Sequence, residues 1–577
     1  MLRLRLGLLL IPIIYLAPIL TGCGGGGSGS QQGTPDFTLS AAPSGLTIAQ
    51  GGQESGTINI TPQSGFNGSV NLSASGLPNG VTAAFNPSLA TTASTLALSI
   101  AANSPTGTTT VTITGTSGTL TKTTTLSLTI IAQGAIPIQH VVIIVQENRT
   151  PDNLFHDPVL IGHGADIASQ GKTSTGQTVT LTPVSLVTNY DLSHTHDAFL
   201  DACDYNSSTN SCAMDGADLI VCNPIQNCPS VPEYQYVQQS DVQPYFTMAE
   251  TYTFADRMFQ TNEGPSFPAH QYLLSGTSAI EATSTTSVAD NPANDDRADG
   301  NEWAGCLAPP GAYVNAIDTS DPNPTSPTFV ITNQLCFEHP TLTDLLDTAN
   351  LSWKYYTALP GSIWTAPDAI QHMCVPSPAY PSEKSVCTGS DWTDHVVIEG
   401  SGAQILTDIA AGQLSAVSWV IPTGANSDHA GSNDGGGPSW VASIVNAVGE
   451  SPYWQNAAII VLWDDWGGWY DHQPPSSIRD SYEYGLRVPL LVISPYAKPA
   501  YVSHVNHDFG SVLKFVEVAF DLGEVDPAVG YADSRSDDLS DCFDFTQTPL
   551  TFTPIQSSMD ADHFLHDKRA ATPPDDD

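Results

Sequence analysis

The stretch that decides the fold is His140-Val141-Val142-Ile143-Ile144-Val145-Gln146-Glu147-Asn148-Arg149. Six residues with no polar alternation run straight into two amides, an acid and a base. An unpatterned apolar run of this length is expected for a strand of a parallel sheet covered on both faces. A second such run, Ala458-Ile459-Ile460-Val461-Leu462, leads into Asp464-Asp465-Trp466-Gly467-Gly468. Ligands of open α/β sheets bind beyond the carboxyl ends of the strands. Glu147, Asn148, Asp464 and Asp465 are therefore expected at one end of one sheet. Crowded carboxylates repel one another unless a cation joins them. A metal-assisted hydrolase is the simplest chemistry that uses such a cluster. The plain alternatives are a solvated loop at Glu147-Asn148 and an acidic loop or helix cap at Asp464-Asp465.

A third segment, Gly264-Pro265-Ser266-Phe267-Pro268, opens a predicted helix through Leu274. Proline is favourable in a first helical turn. A serine there faces free backbone N–H groups and the positive end of the helix dipole. Ser266 is the candidate nucleophile, and a simple N-cap serine is the alternative. Oxygen donors from Glu147, Asn148, Asp464 and Asp465 favour a hard divalent cation such as Ca, Mg or Mn. Four candidate histidines lie near acidic residues in the sequence: His194 and His196 in Asp191–Asp197, His429 after Asp428, and His472 after Asp471. Their pKa near neutrality suits them to hold phosphoryl oxygens or protonate a leaving group.

Working outward, Pro244–Phe259 reads as an amphipathic helix with Tyr245, Met248, Ala249 and Tyr252 on one face. Trp440–Val448 and Ser511–Leu522 are further predicted helices. Leu414–Ile421 and Val488–Ser494 are predicted buried strands. Asp-rich loops are expected at 285–300 and 524–541. Alternating strands and helices predict an α/β domain over 136–560, followed by a disordered acidic tail at 567–577.

Residues 35–132 differ sharply, with few aromatic or charged residues. Alternation at Ile58/Ile60, Val70/Leu72, Leu96/Leu98/Ile100, Val111/Ile113 and Leu126/Leu128/Ile130 predicts a small all-β sandwich. It resembles the immunoglobulin-like (Ig-like) modules of bacterial surface proteins and is read as a spacer.

The chain has 577 residues and a formal net charge of -42, from 58 acidic and 16 basic residues. That argues against nucleic acid and anionic lipid headgroups as nonspecific partners. A phosphate ester remains admissible because a bound cation reverses the local field. Residues 1–22 read as an export signal, with Arg3 and Arg5 ahead of an apolar core. Leu20-Thr21-Gly22-Cys23 resembles a bacterial lipobox. By that resemblance Cys23 is lipidated, 23–34 is a flexible tether, and the protein sits anchored in the bacterial cell envelope, periplasmic or surface-exposed. Eight of the ten Cys fall as near neighbours: Cys203/Cys212, Cys222/Cys228, Cys306/Cys336 and Cys374/Cys387. Short-loop disulfides suit an oxidising compartment. Spacing alone does not fix connectivity, and Cys542 is left over.

Residues 136–522 resemble the bacterial phosphoesterase family that contains acid phosphatases and nonspecific phospholipases C. The resemblance rests on the 140–149 segment, Asp256–Phe259, Gly264–Pro268 with Leu274–Thr277, Ser427–His429, Trp463–His472 with Pro474-Pro475, and Arg487–Pro489 with Ile493–Pro495. It implies an alkaline-phosphatase-like α/β/α sandwich and a single-metal site. Glu147, Asn148, Ser266, Asp464 and Asp465 match the metal site, with Ser266 also the nucleophile that forms a phosphoserine. His194 and His429 match the histidines flanking the phosphate, and His196 is the local alternative to His194. His196 and His472 are carried as substrate-contacting residues. Two positions depart from the family pattern. Asp464-Asp465 stands where Asp-Glu is usual, and serine replaces the threonine typical of the phospholipase C branch. The second departure points to the acid phosphatase side. The alternatives are a phosphodiesterase acting on phospholipid headgroups and, in another class, an inactive surface adhesion or glycan-binding lipoprotein.

Overall fold

A computed structural model describes residues 34–42, 45–132, 136–209, 211–223, 228–298, 301–332, 334–400, 403–475 and 480–571. The export signal, Cys23, the tether through residue 33 and the tail from 572 lie outside the described residues.

Residues 36–131 form two facing sheets. In one, Asp36–Ala42, Gln53–Gln63, Ala93–Ile100 and Val81–Asn86 lie side by side. The other has the order Gly45–Ala49, Leu120–Ile131, Gly107–Ser117, Val70–Ser75, Leu89–Ala90. Ala93–Ile100 alternates strictly between buried and exposed positions. The apolar half of each strand enters one shared core with Phe37, Ile58, Leu96, Val111 and Leu128. Each such side chain contributes about 1.5–3 kcal/mol when fully buried.

The second region is built on an eight-stranded sheet: β1 His140–Gln146, β2 Thr253–Phe259, β3 Trp353–Thr357, β4 Val396–Ile398, β5 Val417–Val420, β6 Ala457–Trp463, β7 Arg487–Ile493 and β8 Tyr501–Ser503. Their spatial order is β4-β3-β5-β1-β6-β7-β2-β8. The fold is mixed α/β. Every residue of β6 and β7 is buried, so the sheet is covered on both faces there. The helices fall into two packed groups. Gly437–Gly449 lies against Gln239–Thr251 and Gln404–Ala410, while Phe509–Phe520 lies against Ser266–Ser275.

Three sequence expectations change. The sheet is not wholly parallel: β7 runs antiparallel to both β6 and β2. β7 therefore begins, at Arg487, at the end of the sheet where β6 finishes, beside the cluster. The helix predicted over 244–259 is a helix over Gln239–Thr251 followed by β2. Pairing of Thr253 with Val492 and Tyr501 overrides the helical periodicity there. Within the predicted loop 285–300, Thr286–Ala293 is a strand paired with Tyr313–Asp318.

All four near-neighbour cysteine pairs are disulfides, Cys203–Cys212, Cys222–Cys228, Cys306–Cys336 and Cys374–Cys387. Cys542 is a buried free thiol. Among the described residues no helix is long and apolar enough to cross a membrane.

Candidate functional site

Strands β1 and β6 are parallel neighbours, with Gln146 opposite Trp463. Glu147-Asn148 and Asp464-Asp465 therefore leave the sheet side by side. The ladder continues past the strand ends: Asp464 N–H donates to Gln146 O and Arg149 N–H donates to Asp465 O, each at 3.0 Å. Asn148 turns the chain with φ 64°, in the left-handed region that asparagine tolerates better than most residues. Its N–H donates to Asp464 Oδ1 at 3.1 Å. Gly467 packs against this turn at φ +61°, and a Cβ there would lie 2.4 Å from Asn148 O. Only glycine fits.

The helix Ser266–Ser275 faces these strand ends. It is buried throughout, and Pro265 precedes it in extended conformation. Its first residue donates the Ser266 hydroxyl to Asp465 Oδ2 at 3.1 Å. One turn later His270 places Nε2 3.4 Å from Glu147 Oε1 and 3.8 Å from Asp464 Oδ2. His270 is absent from the sequence-predicted site. Its signal was available: residues i and i+4 share a helix face, so His270 follows Ser266 into the same space.

The electrostatics call for a cation. Glu147 is fully buried, and burial drives its pKa well above the ordinary value, with Asp464, Asp465 and Asp428 adding repulsion. Burial lowers His270 to about 4 against the opposing pull of Asp464, so its ring is neutral at pH 7. Both Glu147 oxygens, Asn148 Oδ1, Asp464 Oδ2 and both His270 nitrogens are buried without a hydrogen-bond partner. An orphaned buried polar group costs about 1–3 kcal/mol. A single divalent cation would satisfy several of them together. Glu147, His270 and Asp464 each offer an atom within 4.8 Å of the others. The donor set fits a divalent cation, and it includes a nitrogen as well as the expected oxygens.

Two of the predicted histidines join this site. His194 Nδ1 lies 2.8 Å from Leu192 O, a contact that requires a proton on Nδ1. Nε2 then accepts from Asn148 Nδ2 at 2.8 Å. That bond assigns the Asn148 amide, leaving Oδ1 for the cluster. His429 is anchored the same way, Nδ1 to Ala430 O at 2.7 Å, and its ring centroid is 5.8 Å from that of His194. Arg149 holds the His429 loop to the end of β1 by donating Nε and Nη2 to Asp428 O at 2.9 and 2.7 Å. Asp428 Oδ2 accepts from Tyr245 Oη and Trp463 Nε1.

The other two are held elsewhere. His196 Nδ1 sits 2.7 Å from Glu263 O and Nε2 3.3 Å from Ser326 O, so its ring braces the segment ahead of Ser266. His472 joins a neighbouring ionic group: Nδ1 is 2.7 Å from Asp152 Oδ2 and Nε2 is 3.0 Å from Asp166 Oδ1. Arg487 grips Asp471 there with two parallel bonds of 2.9 and 3.0 Å. Burial alone would lower the His472 pKa, but the bond to Asp152 and the charges of Asp152 and Asp471 raise it to about 9. Three carboxylates, Asp152, Asp166 and Asp471, meet two cationic groups, Arg487 and His472, in a brace between β7 and residues 471–472.

The chain has relatives among known proteins. The family model described as Phosphoesterase family matches residues 138–523. A protein of Pseudomonas aeruginosa named non-hemolytic phospholipase C is 23% identical over 368 residues, 56% of this chain and 46% of its own length. Phospholipase C A of Mycobacterium tuberculosis is 23% identical over 455 residues, 72% of this chain and 79% of its own. The chain thus spans about half of the first relative and over three quarters of the second. Likeness to solved structures is slight. The S-layer protein SbsC, domains 4 and 5, gives a TM-score of 0.14 at 22% identity over 17% of this chain and 48% of that one.

Proposed function

We propose that this chain, which belongs to the Phosphoesterase family, is a metal-dependent phosphoric ester hydrolase that uses Ser266 as its nucleophile. One observation carries the reading: the Ser266 hydroxyl donates to Asp465 at the start of a buried helix, facing the orphaned oxygens of Glu147, Asn148 and Asp464.

Glu147, Asn148, Ser266, Asp464 and Asp465 would hold the cation. When bound, it supplies positive charge that neutralises the carboxylates and draws in phosphoryl oxygens. Asp465 Oδ2 is placed to take the Ser266 proton as the hydroxyl oxygen attacks phosphorus. The Oγ–P bond forms, the P–O bond to the alcohol breaks, and a phosphoserine results. Phe267 N–H is taken by Asn291 Oδ1 at 3.0 Å and Pro268 has no N–H, so the helix start acts on the equatorial oxygens through its positive dipole end. His194 and His429 have Nδ1 committed to main-chain carbonyls. In the imidazolium form His429 offers its second proton at Nε2 to the departing alcoholate, while His194, whose Nε2 accepts from Asn148 Nδ2, orients that amide. Water then hydrolyses the phosphoserine, with a neutral histidine accepting its proton, and Ser266 is restored.

Serine at position 266 favours the acid phosphatase-like reading. A second reading, a phosphodiesterase of phospholipid headgroups, draws on the phospholipase C names of the relatives. Initial rates on a chromogenic phosphomonoester and on a choline phosphodiester, compared with Ser266→Ala, separate them. Equal rates in wild type and variant on both substrates would overturn the proposal. The family resemblance supports an alkaline-phosphatase-like fold for the mixed sheet and a spacer role for an Ig-like 35–132 module. The lipobox at Leu20–Cys23 supports tethering to the cell envelope.

A further inference from the structure

We infer that His270 is a direct nitrogen ligand of the cation, and that this site therefore prefers a first-row transition ion to Ca2+ or Mg2+. The inference rests on the metal-dependent reading above and extends it to the identity of the ion.

Three observations support it. His270 Nε2 points between two carboxylates, 3.4 Å from Glu147 Oε1 and 3.8 Å from Asp464 Oδ2. Neither distance is a hydrogen bond, and neither ring nitrogen has a hydrogen-bond partner. The ring is 1% exposed. A structural buried histidine settles at least one nitrogen on a protein partner, as His194, His196 and His429 do here. His270 settles neither, yet it is held in place by the helix that also delivers Ser266. The spacing of Glu147, His270 and Asp464, all within 4.8 Å through their donor atoms, is that of ligands around a shared centre.

The consequence follows from ligand softness. An all-oxygen site suits Ca2+, Mg2+ and Mn2+, whereas imidazole raises affinity for Zn2+, Fe2+ and Co2+. The same five predicted residues without His270 would give no reason to prefer a transition ion.

The test uses metal-depleted full-length protein. Mn2+ is added at one equivalent, and pulsed electron paramagnetic resonance reads nitrogen directly coupled to the ion. Co2+, Mg2+ and Ca2+ affinities are measured by titration calorimetry. The expected result is a nitrogen coupling that persists in His194→Gln and His429→Gln but disappears in His270→Gln. Co2+ affinity should fall at least about tenfold in His270→Gln, the scale on which even supporting groups matter to a metal site, with Mg2+ and Ca2+ affinities nearly unchanged. Wild-type protein that binds Mn2+ without nitrogen coupling, or keeps the coupling in His270→Gln, overturns the inference and leaves the metal-dependent reading standing. No Mn2+ binding that depends on Asp464, tested with Asp464→Asn, overturns both. The coupling in wild type and in the His194 and His429 variants decides the matter even if His270→Gln fails to fold.

Discussion

The hydroxyl of Ser266 and the carboxylate of Asp465 lie 3.1 Å apart, although 199 residues separate them in the chain. One opens a helix and the other follows the central strand β6, so this bond joins the proposed nucleophile to the sheet. It also gives the serine proton an acceptor before any substrate arrives.

Ser266→Ala removes that nucleophile while changing side-chain volume little. Turnover of a phosphomonoester is expected to fall on the order of a thousandfold or more. The melting temperature should move little, because no apolar core contact is deleted. Turnover at the wild-type rate would dismiss Ser266 from the mechanism.

Exhaustive chelation should lower both activity and melting temperature, and a divalent cation should restore both. At a free concentration one hundred times the dissociation constant, binding stabilises the fold by about 2.7 kcal/mol. Asp464→Asn should blunt the recovery. Full activity in protein verified to be metal-free counts against the cluster as a cation site.

Gly467 and Gly176 make a matched pair, with φ of +61° and +74°. A Cβ at Gly176 meets nothing within 4 Å, whereas one at Gly467 collides with Asn148 O at 2.4 Å. Gly176→Ala should cost about 1 kcal/mol from backbone conformation alone. Gly467→Ala should cost more and also reduce metal affinity, because it displaces the Asn148 turn. Equal losses in the two variants, measured by denaturant unfolding, would show that the turn has room to spare.

His472 gives a pH signature. Its pKa in the folded protein is raised to about 9, above the 6.5 of a free histidine. Its ionic contribution to stability is therefore complete below 6.5 and is lost as pH rises through 9. The difference in melting temperature between wild type and His472→Gln should be largest near pH 6 and shrink by pH 10. A difference that grows with pH would reverse the assigned sign.

Cys23→Ser tests the envelope anchor. Metabolic labelling with a fatty acid should mark the wild type and leave the variant unlabelled, with the variant released or stalled in maturation. Equal labelling would place the lipid elsewhere.

The central strands were legible because burial on both faces leaves no alternation to confuse, as in His140–Val145 and Ala458–Leu462. Their polar exits then pointed to the site. β2 was not legible. Its first residues extend a helical pattern, and only pairing with Val492 and Tyr501, far along the chain, makes them a strand. The reversed direction of β7 is likewise fixed by a connection whose path leaves no local mark. Histidines beside acids in the sequence proved an uneven guide: His194 and His429 reach the cluster, whereas His196 and His472 are held by other partners. His270 has no acidic neighbour in sequence, and helix geometry brings it in.

The pairing of β1 with β6 has a consequence for the order of events in the cell. Asn148 and Asp464 touch across 316 residues, and β6 fills the middle of the sheet between β1 and β7. A chain still being made, or cut short before residue 457, has Ser266 and Glu147 but no carboxylates to face them and a gap where the centre of the sheet belongs. Such long-range pairing closes late because the chain entropy of the intervening loop must be lost first. The proposed cation site is therefore assembled only after the strand Ala457–Trp463 and the two carboxylates behind it have been made.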